Sequence, residues 1–241
     1  MQFSDFITEQ KNTHMTHIED KVLYGGVKGT RDAILALRSL RDMLGGEHEG
    51  KVSVKWDGAP AIFCGTDPRD GEFFVAKKGI FAKSPKVYKS NADIDADTSG
   101  DLNTKLKLAL KHLPELGIKG IIQGDFLYSK SDIKNQKIKG KNYVTFHPNT
   151  IVYAVPRESD AATAIKQSKI GIVWHTTYKG NSFETLKASY GVDVSRFNST
   201  RNVWSQDATL RDLTKLTMSR KDTDEVTSYL STAGQIFNQI S

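Results

Sequence analysis

The chain has 241 residues, 38% of them hydrophobic and 9% aromatic, enough for a packed core in one large domain or two small ones and too many for a disordered chain. No run is long enough to cross a membrane and no basic-then-apolar secretion signal opens the chain; the single cysteine, Cys64, excludes an internal disulfide and a multi-cysteine zinc site, a usage that favours the cytoplasm. The net charge of +6 and a pI of about 9.2 favour a polyanionic partner, because neutralised phosphates release counterions.

His14, His17, Glu19 and Asp20 lack zinc-type spacing and read as a capped helix start. Gly29 to Leu44 predicts a helix, with Ala33, Ile34, Leu37, Leu40 and Leu44 at helical spacing and Gly45-Gly46 as its stop. A β-rich block follows, with strands over Lys51–Trp56, Ala61–Cys64 and Glu72–Ala76; turn formers from Gly65 to Gly71 join the last two. Ser90 to Asp101, polar and rich in aspartate, predicts a loop, and Leu102 to Leu113 a helix ended by Pro114. Gly120 to Tyr128 predicts a strand, and Lys130 to Lys141 an exposed lysine-rich excursion. Tyr143–Phe146 and Thr150–Val155 are expected as strands about a His147-Pro-Asn149 turn. Ser159 caps an expected helix over Asp160–Gln167, and Ile170–His175 is a further strand. From Ser182 the chain is expected to be mostly helical, most clearly over Asp207–Leu216 and Asp224–Ile240. The fold class is therefore α+β, mostly antiparallel sheets with flanking helices, organised as an N-terminal helical segment (1–48), a core (49–180) and a helical C-terminal segment (181–241). No Gly-x-Gly-x-x-Gly follows a strand and no Walker lysine loop is present.

Five stretches carry candidate chemistry. In Val52-Ser-Val-Lys-Trp-Asp-Gly, Lys55 ends an alternating stretch and precedes Asp57 and Gly58. A lysine partly desolvated among other cations becomes a nucleophile near neutral pH; the alternative is a strand-end lysine that reaches solvent and pairs with Asp57. Phe73-Phe-Val-Ala-Lys-Lys-Gly79 places Lys77 and Lys78 at a strand end, where they are either phosphate ligands or a solvated hairpin end. Ile121-Ile-Gln-Gly-Asp ends an apolar strand on Asp125, a ligand-binding acid or a turn residue. Phe146 and Tyr153 are candidates to stack on a base, with core packing as the alternative, the more so for Tyr153. His175 and Lys179 lie where they face phosphates or serve as ordinary strand residues.

Lys55-Trp-Asp-Gly58, Lys77-Lys-Gly79 and the apolar strand into Gly124-Asp125 occur in the order found in the covalent nucleotidyltransferases, and residues 50–180 resemble that superfamily of ATP-dependent DNA ligases, RNA ligases and capping enzymes. The wider pattern, including Lys-Trp-Asp-Gly-Ala-Pro-Ala, Phe-Val-Ala-Lys-Lys-Gly, Pro-Asn-Thr-Ile-Val-Tyr-Ala-Val-Pro and His-Thr-Thr-Tyr, is similar to an uncharacterised ligase-like family of T4-type cyanophages. The resemblance implies a nucleotidyltransferase (ATP-grasp-like) domain, a phage origin and a location in the host cytoplasm. It also implies that Lys55 attacks the α-phosphate of ATP with Mg²⁺ present, that the adenylate passes to a 5′-phosphate, and that a 3′-hydroxyl then displaces AMP.

In that reading Lys55, Asp57, Gly58, Lys77, Lys78, Asp125, Phe146, Tyr153 and Lys179 bind nucleotide, and Asp125 also holds the metal. Lys77, Lys83, Lys86 and Lys89 contact the DNA or RNA. Several positions depart from the family pattern: Pro60 stands where an arginine is common, Lys77 where arginine is usual, and Gln123 and Asp125 in place of two acids. No Glu-Gly-x-Val element with a following lysine pair is found, so the chain is expected to stop before motifs that relatives carry downstream. The alternative function is a non-catalytic nucleic-acid or nucleotide-binding module that retains the fold.

Overall fold

The computed structural model describes residues 17–46, 55–209 and 217–240. In chain order the elements are α1 (Ile18–Tyr24), α2 (Gly26–Leu44), β1 (Ala61–Thr66), β2 (Phe73–Ala76), α3 (Asn91–Asp97), α4 (Gly100–His112), β3 (Ile121–Ser129), β4 (Lys134–Ile138), β5 (Lys141–Phe146), β6 (Tyr153–Pro156), α5 (Asp160–Gln167), β7 (Ile170–Lys179), β8 (Lys187–Tyr190), β9 (Val203–Asp207) and α6 (Arg220–Ile240). The fold is α+β, and strand pairings are antiparallel except where β9 runs parallel to β7. The chain divides into two compact units, Met1–Ser53 with Thr209–Ser241, and Val54–Ala208.

The first unit is helical where it is described. Ala33 and Gly29 are the buried positions of α2, and Gly46, at φ +87°, ends it in the left-handed region that glycine adopts at little cost. Arg41 pairs with Asp42 at 2.5 Å and donates to Thr227 Oγ1 on α6 at 3.3 Å. The Arg31 guanidinium lies 5.8 Å from the Phe237 ring centre. The expected helix over Asp224–Ile240 is present and begins four residues earlier, at Arg220. His17 precedes α1 without a side-chain capping bond and contacts Glu19 at 3.3 Å; His14 lies outside the described residues.

The second unit is built on a sheet ordered β2-β1-β3-β7-β8, with β9 beside the first half of β7, and on a separate β4-β5-β6 sheet. Amphipathic α4 covers one face of the larger sheet: Leu106 and Ala109, with Leu113 in the turn that follows, join Ile62, Cys64, Ile122, Phe126, Ile172 and Trp174 in one apolar cluster. The opposite face carries two smaller clusters. Phe63, Phe74, Ile80, Ile121, Tyr178 and Phe183 form one, and Leu127, Tyr128, Val144, Phe146, Ile165 and Val173 the other. Along β3, alternation places Ile121, Gln123, Asp125 and Leu127 on that face, so a polar step separates the two clusters. Fully burying a side chain such as Leu113 or Trp174 contributes about 1.5–3 kcal/mol, so α4 and the strands are held by many such terms.

Three expectations are corrected. The stretch Ser90–Asp101 is not a loop: Ser90 and Asp93 form a reciprocal capping box that starts α3, Ile94 is fully buried, and Gly100 opens α4. The aspartates that read as loop formers are a cap and ion-pair partners. The stretch from Ser182 to Ala208 is not mostly helical, because β8 and β9 complete the sheet along β7, and the compact unit runs on to Ala208. Their short strands carry few apolar residues, so little alternation marked them. Residues 51–54 of the expected Lys51–Trp56 strand lie outside the described residues, and Lys55 and Trp56 are not in a strand; likewise 210–216 of the expected Asp207–Leu216 helix lie outside, and Asp207 ends β9.

Candidate functional site

Lys55, Trp56, Asp57 and Gly58 form a loop leading into β1, and each of the last three is fixed by a different interaction. The Asp57 carboxylate accepts hydrogen bonds from Asn149 Nδ2 at 2.8 Å, Thr150 N and Thr150 Oγ1 at 2.7 Å each, and Ile151 N at 3.1 Å. Those bonds, led by the Thr150 hydroxyl and then Asn149, hold its pKa well below the usual carboxylate range. The Asp57 amide donates to Tyr153 Oη at 2.7 Å. Gly58 lies against β3 so closely that a Cβ there would stand 2.5 Å from Asp125 Cβ. The Ala59 amide donates to the Phe126 carbonyl, and the Phe126 amide to the Pro60 carbonyl, each at 3.0 Å, so the loop runs on into the β1–β3 ladder. From the α4 side, Lys105 Nζ reaches the Ala59 carbonyl at 3.3 Å and Asp101 at 2.9 Å. Lys55 itself is exposed at the head of this fixed loop.

Asp125 is therefore next to the loop in space, although the two are nearly seventy residues apart in sequence. On β7, His175 Nε2 lies 3.8 Å from Asp125 Oδ1, and its Nδ1 is 2.7 Å from Thr176 Oγ1. The His175–Asp125 separation is too long for a hydrogen bond and short enough for attraction when the imidazole is protonated. Gln123 and Thr176 are opposed across β3 and β7, and Tyr178 Oη donates to Gln123 Oε1 at 2.7 Å. Asp125, Gln123, Thr176 and His175 thus form the polar step between the two apolar clusters, with the Lys55–Gly58 loop beside it.

The other expected site residues divide. Tyr153 and Phe146 are in place but stacked on each other at 5.3 Å and 20°, and Trp56 also stacks on Tyr153 at 5.3 Å and 18°. Phe146 is 3% exposed and also meets Tyr128 at 4.7 Å. Both rings are thus engaged with other aromatics, and Tyr153 is only half-buried. Lys77 turns to the α4 side of the sheet, where Asp97 accepts from Lys86 at 2.9 Å, from Tyr88 Oη at 2.6 Å and from Lys77 at 3.1 Å. This gathering holds the Asp97 pKa well below its usual range. Lys89 pairs with Asp67 at 2.9 Å and with Asp70. Lys77, Lys86 and Lys89 are therefore paired within the fold, while Lys78, Lys83 and Lys179 are exposed; Lys179 lies at the far end of β7, opposite Lys187.

A Mg²⁺ takes most of its ligands from water and substrate phosphate, so the single carboxylate of Asp125 fits such an ion. Among the described residues no group of three or more histidine, cysteine, aspartate and glutamate side chains stands together to form an all-protein metal site. Burial pushes the Cys64 thiol up and removes it from any nucleophilic role. Sequence reasoning missed the Trp56 stack and the approach of His175 to Asp125. Trp56 lies next to the recognised lysine, but its partner Tyr153 is about a hundred residues away, and nothing local marks the contact.

The family of unknown function DUF6267 matches residues 12–241, and the chain belongs to that family. No curated protein and no solved structure matches the chain. Among the described residues, no helix is long and apolar enough to cross a membrane.

Proposed function

We propose that this member of DUF6267 is an ATP-dependent, ligase-like nucleotidyltransferase that forms a lysyl-adenylate at Lys55 and joins nucleic-acid ends. The observation that carries the reading is the seating of Lys-Trp-Asp-Gly: Asp57 is locked to residues 149–151 and Gly58 is pressed on Asp125, which holds exposed Lys55 at the edge of the polar step. In the reaction, unprotonated Lys55 Nζ attacks the α-phosphorus of ATP, a P–N bond forms, and the bond to the pyrophosphate oxygen breaks. A 5′-phosphate oxygen then takes the adenylate from the lysine, and a 3′-hydroxyl oxygen displaces AMP. Mg²⁺, held at Asp125, would offset the charge on the phosphoryl oxygens. His175 presents a second cation toward the same carboxylate when protonated.

Nucleic acid is the proposed partner, bound without strong sequence preference. Lys77, Lys86 and Lys89 have their charge matched by aspartates, so the contribution shifts to Lys78 and Lys83 and to the β4–β5 hairpin. There Lys134, Lys137, Lys139 and Lys141 are all exposed. Affinity should fall steeply with salt, about one logarithmic unit in affinity per logarithmic unit in salt for each phosphate contacted.

A specific observation favours the second reading, a non-catalytic nucleotide- or nucleic-acid-binding module: the lysine expected on phosphate, Lys77, is bonded to Asp97. Incubation with α-labelled ATP and Mg²⁺, followed by denaturing electrophoresis, decides between them. Label retained by the wild type and absent from Lys55→Ala supports the enzyme. Salt-sensitive nucleic-acid binding with no label in either protein supports the module.

A further inference from the structure

We infer that Trp56 is the platform on which a nucleobase stacks, an inference that rests on the nucleotide-binding reading above. The resemblance alone would put the base on Phe146 or Tyr153, but Tyr153 already stacks with two rings and Phe146 is buried. The rings form one stack: Trp56 on Tyr153 at 18°, Tyr153 on Phe146 at 20°, and Phe146 tilted against Tyr128. Trp56 is an end member of this series. It is half-buried, and among the described residues its one ring partner is Tyr153, which leaves its second face without an aromatic neighbour.

Three features suit this ring to a ligand rather than to filling the core. It is fixed before anything binds: its inner face rests on Tyr153, and the next residue is held through both its carboxylate and its amide. A ring already held loses little freedom on binding. An indole also offers a large flat surface to any base. Finally, its chain neighbour is Lys55, and adjacent Cα atoms are about 3.8 Å apart, so base stacking at Trp56 and phosphate contact at Lys55 fall within the span of one nucleotide. Asp125, against Gly58, borders the same place. The ligand class is a planar heteroaromatic base carrying phosphate, either a free nucleotide or a base of a strand.

The test is equilibrium dialysis of the full chain against labelled ATP with Mg²⁺ and, separately, against a short single-stranded oligonucleotide. Wild type, Trp56→Phe and Trp56→Leu are compared. Leucine keeps an apolar group on Tyr153 but has no π-face, so it should weaken binding of the true ligand about tenfold or more, while phenylalanine should retain most of it. Loss confined to the ATP arm identifies the free nucleotide, and loss confined to the oligonucleotide arm identifies a strand base. Binding of both probes unchanged in Trp56→Leu overturns the platform. Dialysis reads binding without covalent transfer, so the two ideas fail separately. Trp56-dependent binding with no AMP attachment would leave the platform and remove the ligase. AMP attachment at the wild-type rate in Trp56→Leu would do the reverse.

Discussion

On the α4 side of the β1–β3–β7 sheet, Asp97 holds two lysines and a tyrosine hydroxyl within 3.1 Å. On the opposite side Asp125 accepts no hydrogen bond among the described residues, and the His175 imidazole stands 3.8 Å away. The same residue types therefore do different work on the two faces. Where lysine and aspartate are close and bonded, they stabilise the position of α3 and gain little from a ligand that would have to displace those bonds. Where a half-buried carboxylate and an imidazole stand just out of contact beside an exposed lysine, an incoming charged group has something to bind. Sites that bind or react hold groups whose partners are not all supplied by the fold.

The largest expected effect falls on the open face. Lys55→Ala should abolish covalent AMP attachment while leaving the circular dichroism spectrum and melting profile unchanged, because the side chain is exposed. Wild-type labelling of the variant would move the nucleophile elsewhere and end the comparison. Asp125→Asn keeps size and removes charge, so adenylate formation should fall about 10²–10³-fold, the usual consequence of losing one group aimed at developing charge. A magnesium titration sharpens it: the variant should need more Mg²⁺ if Asp125 holds the ion, whereas an unchanged rate at every concentration would leave Asp125 a mid-strand residue of β3 with no part in holding the ion.

Asp57 tests the positioning of the loop rather than the chemistry. Asp57→Ala removes the acceptor for Asn149, Thr150 and Ile151, and a displacement of the loop by about 1 Å should slow adenylate formation up to about 10²-fold. The pH dependence has a defined sign. Hydrogen bonds from Thr150 and Asn149 lower the folded pKa of Asp57, so its contribution is complete above the ordinary carboxylate range and is lost only as pH falls below it. The protection factors of the Thr150 and Ile151 amides, with the intrinsic pH dependence of exchange divided out, should therefore be constant from pH 7 to about pH 5. Deprotection within that window would mean that the carboxylate is not clamped as described.

Much of the fold was legible because local signals agreed with it. Ser159 caps a helix over Asp160–Gln167, the Leu102–Leu113 periodicity marks α4, and short apolar runs mark β1, β2, β3 and β7. The errors arose where a residue's role is set by a distant partner. Ser90–Asp101 read as loop because four acids were counted as polar, while Asp95 pairs with Lys107 and Asp97 with Lys77 and Lys86, all of them distant in sequence. Within the candidate site, the nearness of Lys55-Trp-Asp-Gly58 to Asp125 followed motif order. The direction of Lys77 did not, since a strand-end lysine is free to turn to either face and Asp97 decides which. The stacking of Trp56 on Tyr153 and Phe146 was equally hidden, because aromatic type marks a residue as a packing element without saying which face stays open.

The smallest expected effect is the sharpest test of the contrast between the faces. Lys77→Met removes the charge and keeps most of the apolar stem. Its ammonium is bonded to Asp97 and lies 5.9 Å from the Tyr88 ring centre, on the side away from Asp125. Adenylate formation should therefore stay within about threefold of wild type, well short of the 10²–10³-fold that a phosphate ligand would give. Stability should respond in a set order. Asp97→Ala leaves Lys77, Lys86 and the Tyr88 hydroxyl without their acceptor and should lower Tm more than Lys77→Met, which leaves Asp97 two of its three donors. A Lys77→Met enzyme with normal Tm and a hundredfold loss of rate would mean that Lys77 exchanges Asp97 for phosphate when nucleotide binds. The paired face would then be a resting arrangement of the site rather than its structural counterpart.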